Sequence, residues 1–150
     1  MNILLIVDEE AFPDYVNLLL APKNYFIVFH DPDLALQHYD QKPIYDVIII
    51  DSLRPVAQID QFILKICEIK SSQNIIVSSD TVCDQKLLQI NKHNSSIKSL
   101  EKPFSLSEID ALIESLNEKE MLLNILISNY KITNIAEILE RSYLKNKQMG

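Results

Sequence analysis

The sequence has 150 residues, a mass of 17.3 kDa and a hydrophobic fraction of 47%, which indicate one folded domain with at most a small appendage and exclude a disordered chain. The formal net charge of −7 is unevenly distributed, because residues 1–117 hold nine basic and 17 acidic residues whereas residues 118–150 hold five and four. The acidic first part is therefore not an obvious nucleic-acid binder.

Glycine and cysteine usage exclude several kinds of site. The only glycine is Gly150, so the chain lacks a Walker loop and a GxGxxG turn, both of which need glycine for close approach of the backbone to phosphates. The two cysteines, Cys67 and Cys83, have no metal-binding or CxxC spacing, and we interpret them as free thiols. Any phosphate chemistry must then use side chains and a metal ion.

The chain begins with a short apolar run, Ile3–Val7, which is followed at once by acidic residues. Five apolar residues are too few for a signal peptide or a membrane span. We therefore expect a cytoplasmic protein without a membrane partner.

Short apolar runs alternate along the chain with helical stretches, in five successive strand and helix pairs. The predicted strands are Ile3–Val7, Phe26–Phe29, Val47–Ile50, Ile75–Val77 and Ile97–Leu100. The predicted helices are Asp14–Leu20, Asp33–Tyr39, Ile59–Ile69, Gln85–Asn91 and a fifth that begins at a capping box formed by Ser105 and Glu108 and continues to Leu116.

This alternation predicts an α/β fold, a doubly wound, flavodoxin-like sheet of five parallel strands in the order 2-1-3-4-5, with a small C-terminal helical extension. In that order the carboxyl ends of the first and third strands are neighbours, and Asp8, Glu9 and Asp51 follow those ends. We expect the three carboxylates to converge. Alone, Asp51 would be interpreted as a turn residue or a helix N-cap.

Three neighbouring carboxylates repel one another unless a cation is present, and magnesium is the ion that suits such oxygen ligands. The fourth strand is followed by Ser78 and Ser79, and the fifth by Lys102, at the same edge of the sheet. A metal ion, a lysine and a hydroxyl beside a carboxylate are the groups needed for phosphoryl transfer onto that carboxylate. The pattern thus indicates Asp51 as a nucleophile.

Four segments, "ILLIVDEE", "YDVIIIDSLRP", "IIVSSD" and "LEKPFS", resemble the signatures of the receiver domain of two-component response regulators, in the same order. The resemblance covers about residues 1–117, which we take as one domain, and leaves residues 118–150 as a C-terminal helical segment. It implies that Asp51 accepts a phosphoryl group from a histidine kinase or phosphotransfer protein. At most slow self-dephosphorylation is expected, so the chain is not expected to be an enzyme.

The same resemblance implies roles for the surrounding residues. Asp8, Glu9, Asp51 and the backbone carbonyl of Leu53 would bind magnesium, and Lys102 would contact the phosphoryl group. Pro103 would follow a cis peptide bond, and Pro55 would be the loop proline of the family.

Three features depart from the family pattern. The switch hydroxyl is either Ser78 or Ser79, because counting from the strand favours the first and counting back from Lys102 favours the second. Ser99 stands where the family has an aromatic residue, and Arg54 replaces an apolar residue beside the acceptor. These departures predict an unusual readout of the signal, or signalling that has decayed.

Residues 118–150 predict two helices, the first with Met121, Leu122 and Ile125 on one face. A break is expected at Asn129–Lys131, after which Thr133 would cap the second helix. The pair would form a hairpin packed on the receiver or on a second subunit, giving a homodimer.

The segments "IAEILE" and "RSYLKNK" resemble the Fis-type helix-turn-helix of some response regulators, with Arg141, Lys145 and Lys147 as the possible DNA contacts. The turn is shortened between Leu139 and Arg141, so the two helices of that motif could be fused. The tail is then either a DNA-binding module or a degenerate or dimerising one.

The sequence is consistent with three functions. The first is a dimeric transcription regulator controlled by phosphorylation, and the second is a phosphorelay or pseudo-receiver module that acts by protein contact. The third, a metal phosphatase, ranks last because Leu53 stands where those enzymes commonly need a second aspartate. The histidines are scattered and are predicted to be surface or half-buried residues without a catalytic role: His30, His38 and His93.

Overall fold

The structure is a computed structural model, and it describes residues 1–19, 22–51, 56–79 and 96–148. Five strands lie within these ranges: β1 (Asn2–Val7), β2 (Tyr25–Phe29), β3 (Val47–Asp51), β4 (Asn74–Ser79) and β5 (Ile97–Glu101). Four helices accompany them: α1 (Phe12–Leu19), α2 (Pro32–Gln41), α3 (Val56–Ile69) and α4 (Leu106–Gln148). The helix predicted at Gln85–Asn91 falls outside the described residues.

All five strands are parallel and belong to one sheet in the order β2-β1-β3-β4-β5, which confirms the predicted fold. The register pairs Ile3 with Val47 and Ile48 with Ile75, so the central strands start together at one edge. They also end together, because Val7 pairs with Asp51 and Asp51 pairs with Ser78. The polar residues that follow the strands are therefore collected at the carboxyl edge.

The apolar runs of the central strands are buried because both faces of the sheet are covered. Alternate residues of a strand point to opposite faces. One face packs against α2 and α3 in a cluster that contains Leu4, Ile6, Ile48, Ile50, Tyr39, Phe62, Ile63 and Ile66. The opposite face carries the odd-numbered residues of β1 and β3, and Asp51 is the last of them. The acceptor candidate thus points away from that cluster.

The start of α4 has the predicted capping box. The backbone N–H of Ser105 donates to Glu108 Oε2 over 2.6 Å, and the backbone N–H of Glu108 donates to Ser105 Oγ over 3.4 Å. The backbone N–H of Ser105, and after it the Ser105 hydroxyl, which donates to the same Oε2 over 3.0 Å, lower the pKa of the exposed Glu108 carboxyl. The reciprocal pair satisfies donors that the first helical turn leaves without partners.

The chain divides into two compact units, Met1–Ile113 (unit 1) and Glu114–Gly150 (unit 2), and the boundary falls within α4. Unit 1 holds the sheet, α1 to α3 and the first two turns of α4. Within unit 2, the described residues are helical throughout. Across the described parts of the chain, no helix is long and apolar enough to cross a membrane.

The break predicted at Asn129–Lys131 is wrong, because α4 is continuous through these residues. Thr133 does not cap a new helix; its hydroxyl donates to the carbonyl of Asn129 over 2.9 Å, one turn earlier in the same helix. Asparagine and tyrosine lower helix propensity by only a fraction of a kcal/mol per residue, and α4 contains neither glycine nor proline. Nothing local therefore ends the helix. The fused arrangement considered for Leu139 to Arg141 is what the structure has.

Candidate functional site

The candidate site lies at the carboxyl edge of the sheet, around the carboxylate of Asp51. Asp51 is the last residue of β3 and its side chain is only 1% exposed. A buried carboxylate is costly unless it is paired and hydrogen-bonded. Both of its oxygens have partners of this kind, and each partner comes from a different element of the fold.

The first partner is Lys102, which follows the end of β5. Its Nζ lies 2.5 Å from Asp51 Oδ1, and the lysine side chain is 22% exposed. Among the described residues, Oδ1 accepts no conventional hydrogen bond besides this ion pair. The peptide bond between Lys102 and Pro103 is cis, as the resemblance implied. The loop after β5 thus directs one positive charge at the candidate acceptor.

The second partner, Tyr15 of α1, was not identified from the sequence. Its hydroxyl donates to Asp51 Oδ2 over 2.7 Å in a buried hydrogen bond. Burial, followed by the negative charge of Asp51 and this hydrogen bond, raises the pKa of Tyr15 far above its ordinary value. The hydroxyl therefore stays protonated and remains a donor to the carboxylate.

Ser78 stands beside Asp51 in the register of the sheet and is also 1% exposed. Its Oγ is buried and has no hydrogen-bond partner among the described residues. The Ser78 hydroxyl lowers the pKa of Tyr15, but burial and the charge of Asp51 act more strongly in the opposite direction. An unpaired buried hydroxyl costs about 1–3 kcal/mol, which makes Ser78 a candidate to bind a group that arrives at this edge.

The two candidate switch serines differ in position. Ser78 is the register partner of Asp51 on the neighbouring strand, so these two side chains lie on the same face of the sheet. The side chain of Ser79 itself lies outside the described part of the structure. The register therefore favours Ser78 as the hydroxyl nearer to the acceptor. Ser99, where the family has an aromatic residue, is exposed on β5.

The predicted magnesium ligands are brought to the same edge without forming a cluster. The backbone N–H of Asp8 donates to the carbonyl of Asp51 over 3.2 Å, so β1 and β3 stay adjacent to their ends. The side chain of Asp8 is half-buried, and that of Glu9 is exposed. The oxygen donors suit magnesium. In residues 1–19, 22–51, 56–79 and 96–148, however, no three acidic, histidine or cysteine side chains are grouped closely enough to bind a metal ion.

Other residues singled out in the sequence have simpler positions. Leu53, Arg54, Pro55, Cys83 and His93 lie outside the described residues. Cys67 is half-buried and forms no disulfide with another described residue. His30 Nδ1 is hydrogen-bonded to the carbonyl of Val7 over 2.6 Å, and His38 Nε2 pairs with the hydroxyl of Tyr45. These contacts are structural.

The three basic residues of the tail, Arg141, Lys145 and Lys147, are all exposed on α4. Arg141 and Lys145 are one turn apart and share a face, whereas Lys147 points elsewhere because two residues correspond to about 200° of helix rotation. The described part of unit 2 has no second helix set at an angle to a first. The helix-turn-helix geometry implied by the resemblance is therefore absent from residues 114–148.

No protein-family model and no curated protein matches the chain. Solved structures do match. A fusion that carries the yeast Spc42 trimeric coiled coil is 15% identical with a TM-score of 0.67, and the alignment covers 99% of this chain and 96% of that one.

Two further solved structures match over more than three quarters of the chain. The Francisella response regulator 1452 receiver domain is 22% identical with a TM-score of 0.60, covering 79% of this chain and 98% of that one. The pilus assembly protein CpaE from Caulobacter crescentus is 11% identical with a TM-score of 0.59, covering 77% and 97%. At these identities the similarity establishes the fold, and we conclude that the chain has the fold of a receiver domain.

Proposed function

We propose that the chain is a receiver module of two-component signalling that accepts a phosphoryl group on Asp51 from a histidine kinase or phosphotransfer protein. The observation that carries the proposal is a buried carboxylate at the carboxyl edge of the sheet, paired with Lys102 and beside the hydroxyl of Ser78, which has no hydrogen-bond partner among the described residues. A structural turn residue or N-cap would have no need for this set of groups.

The chemistry follows from the side chains at the edge. One oxygen of Asp51 attacks the phosphorus of the donor with its lone pair, and the bond between phosphorus and the leaving group breaks. The leaving group departs with that electron pair and, where it is an imidazole, takes up a proton from solvent, whereas the nucleophile gives up no proton because it reacts as a carboxylate. Lys102 would neutralise charge on the transferred oxygens, and Ser78 would donate a hydrogen bond to one of them.

Magnesium is part of the proposal. Asp8, Glu9 and Asp51, with the main-chain carbonyl of Leu53, would hold the ion, which would neutralise charge on the phosphoryl oxygens. If so, the affinity for magnesium, measured by calorimetric titration of the full chain, falls in Glu9→Gln and in Asp51→Asn. An unchanged titration in both variants would remove the metal from the proposal.

The direct test is the intact mass of the full chain after incubation with acetyl phosphate and magnesium. The wild type is expected to gain one phosphoryl group, and Asp51→Asn none. Asp46→Asn is the matched control, because Asp46 lies just before β3 at the opposite edge and accepts the backbone N–H of Asn2. A mass gain that persists in Asp51→Asn, or no gain in the wild type, would contradict the proposed acceptor.

We further propose that α4 provides the output by pairing with a second copy of the chain. Every large apolar side chain from Met121 to Leu144 is between 43% and 68% exposed. Part of this set repeats at alternating spacings of three and four residues, the pattern of a coiled-coil seam: Leu122, Ile125, Asn129, Ile132, Ala136, Leu139 and Tyr143. A single asparagine within such a seam is a known means of fixing register.

Two isoleucines offer a matched test of this pairing. Ile132 and Ile138 are both 65% exposed, but only Ile132 belongs to the seam. Ile132→Glu is expected to give a monomer, whereas Ile138→Glu is expected to keep the wild-type mass in sedimentation equilibrium. Equal behaviour of the two variants would argue against the seam. DNA binding by Arg141, Lys145 and Lys147 is the alternative output, and it would appear as affinity for duplex DNA that falls steeply with salt.

A further inference from the structure

The hydroxyl of Tyr15 is the least expected group at the acceptor. It donates a hydrogen bond to Asp51 Oδ2 over 2.7 Å, while Lys102 Nζ lies 2.5 Å from Oδ1 in an ion pair. Each oxygen of the carboxylate therefore already has one of its acceptor sites engaged in this state. A phosphorus atom bonded to Oδ2 would lie closer to that oxygen than the tyrosine hydroxyl does. The two cannot share the same lone pair.

The ring of Tyr15 also contacts the loop that leads into α4. Its centroid lies 5.8 Å from that of Phe104, with the two planes inclined by 49°, a normal distance for an aromatic pair. Phe104 immediately precedes Ser105, the residue whose hydrogen bonds with Glu108 begin the helix. One side chain thus joins the carboxylate to the helix start, within unit 1.

We propose that Tyr15 is the positioning residue of the acceptor site: its hydroxyl holds the unphosphorylated carboxylate, leaves when a phosphoryl group arrives, and moves its ring against Phe104. The inference rests on the proposed function, because only a carboxylate that reacts needs its partner to leave. It assigns to Tyr15 two effects: slower phosphorylation, and coupling of the acceptor to the start of α4.

The first effect is measured as the initial rate of phosphorylation of the full chain by acetyl phosphate with magnesium. In the reaction, an Asp51 oxygen forms a bond to phosphorus, the bond from phosphorus to the acetate oxygen breaks, and acetate leaves with the electron pair. Removing the hydroxyl in Tyr15→Phe frees Oδ2, and we expect the rate to rise about tenfold, which corresponds to about 1.4 kcal/mol in activation free energy.

Tyr39→Phe is the matched control for this rate. Tyr39 is also completely buried and its hydroxyl also donates a buried hydrogen bond, but to Gln73 Oε1 over 2.8 Å and away from the acceptor. Its rate is expected to equal that of the wild type. A rate in Tyr15→Phe that is equal to or below the wild type would overturn the inference, since Tyr15 would then assist the reaction or be irrelevant to it.

The second effect needs no phosphoryl group. Asp51→Asn changes the group that Tyr15 contacts, so the backbone amide signals of Phe104, Ser105 and Glu108 in the full chain should shift in nuclear magnetic resonance spectra. The same substitution made in a Tyr15→Phe background should shift them less than half as far, and in a Tyr39→Phe background as far as in the wild type. Equal shifts in all three backgrounds would overturn the coupling.

These measurements distinguish failure of the proposed function from failure of the role assigned to Tyr15. Absence of phosphorylation in both the wild type and Tyr15→Phe overturns the proposed function and, with it, the rate effect of Tyr15. Amide shifts that depend on Tyr15 would in that case still establish the contact with Phe104. Phosphorylation with no rate difference between them overturns the inference and leaves the proposed function intact.

Discussion

Units 1 and 2 place their apolar residues in opposite ways. In unit 1 the central strands β1, β3 and β4 bury all of their aliphatic residues, and the candidate site residues Asp51 and Ser78 lie at the carboxyl ends of β3 and β4. In unit 2 the apolar side chains of α4 are largely exposed. Since burial of apolar surface drives both folding and association, unit 1 has the buried core of a folded domain, whereas the exposed surface of unit 2 is typical of a segment that binds a partner.

The largest expected effect is on the free energy of unfolding, and it compares the same type of substitution, isoleucine to alanine, at one position in each unit. Ile63 in α3 is completely buried, and Ile135 in α4 is 57% exposed. Ile63→Ala should lower the free energy of unfolding of unit 1 by about 3 kcal/mol, because it leaves a cavity in the core. Ile135→Ala should change it by less than about 0.5 kcal/mol. Urea unfolding followed by near-ultraviolet circular dichroism measures both, and similar losses would contradict the division.

The next effect concerns the carboxyl edge of the sheet within unit 1. Lys102→Met removes the cation beside a buried carboxylate and should cost about 2 kcal/mol of unfolding free energy, less than for a fully buried pair because Lys102 is 22% exposed. Asp51→Asn should cost less than about 1 kcal/mol, since the amide oxygen still accepts from Tyr15 and Lys102 retains access to water. Urea unfolding at pH 7 compares them. If the aspartate variant loses more stability, the carboxylate stabilises the fold beyond its ion pair.

The smallest effect is a dependence of stability on pH. Burial, with a contribution from Cys67, raises the pKa of Tyr39 to about 12, against about 10 in the unfolded chain. The folded state therefore keeps its proton when the unfolded state has lost it. The contribution of Tyr39 to the free energy of unfolding is therefore complete below pH 10 and is lost as the pH rises to 12. By pH 11 the loss is about 1 kcal/mol.

Burial also raises the pKa of Tyr15 and Tyr45, so these two tyrosines likewise lower the free energy of unfolding as the pH rises. The urea midpoint at pH 9 and pH 11 measures the slope. The change in the urea midpoint between the two pH values should be smaller in Tyr39→Phe than in the wild type. It should be unchanged in Tyr25→Phe, because Tyr25 is 76% exposed. A slope that is unaffected by Tyr39→Phe would mean that the buried hydroxyl does not control alkaline stability.

The fold of unit 1 was predictable because its signals are local and consistent. Apolar runs such as Val47–Ile50 indicate buried parallel strands, and the alternation with helices leaves few possible strand orders. Asp51 and Lys102 were predictable because both follow strands directly, so the sheet alone brings them together. The strand order places them at the same edge with β4 between them, and the long lysine side chain then reaches the carboxylate.

Tyr15 was not predictable by the same reasoning. A tyrosine on a short amphipathic helix is usually a core aromatic residue, and only the rotation of α1 on the sheet decides what its hydroxyl contacts. The signal available in the sequence was weak: α1 places one aromatic residue with a polar tip seven residues after Asp8. Helix orientation depends on packing, which periodicity does not specify.

The continuity of α4 was missed for a different reason. The polar residues Asn129 and Lys131 were interpreted as a break, although neither residue type stops a helix. Only glycine or proline would have been a strong signal, and α4 has neither. The resemblance to a two-helix motif gave weight to a break that the local sequence does not support.

The capping box of α4 has a consequence for how such a chain evolves. Because Ser105 and Glu108 determine the start of the helix by themselves, its beginning does not depend on what lies several turns later. Whole heptads could be gained or lost at the far end while the first turn keeps its hydrogen bonds. Lineages of this protein could thus exchange one tail for another at little cost to the domain that precedes it.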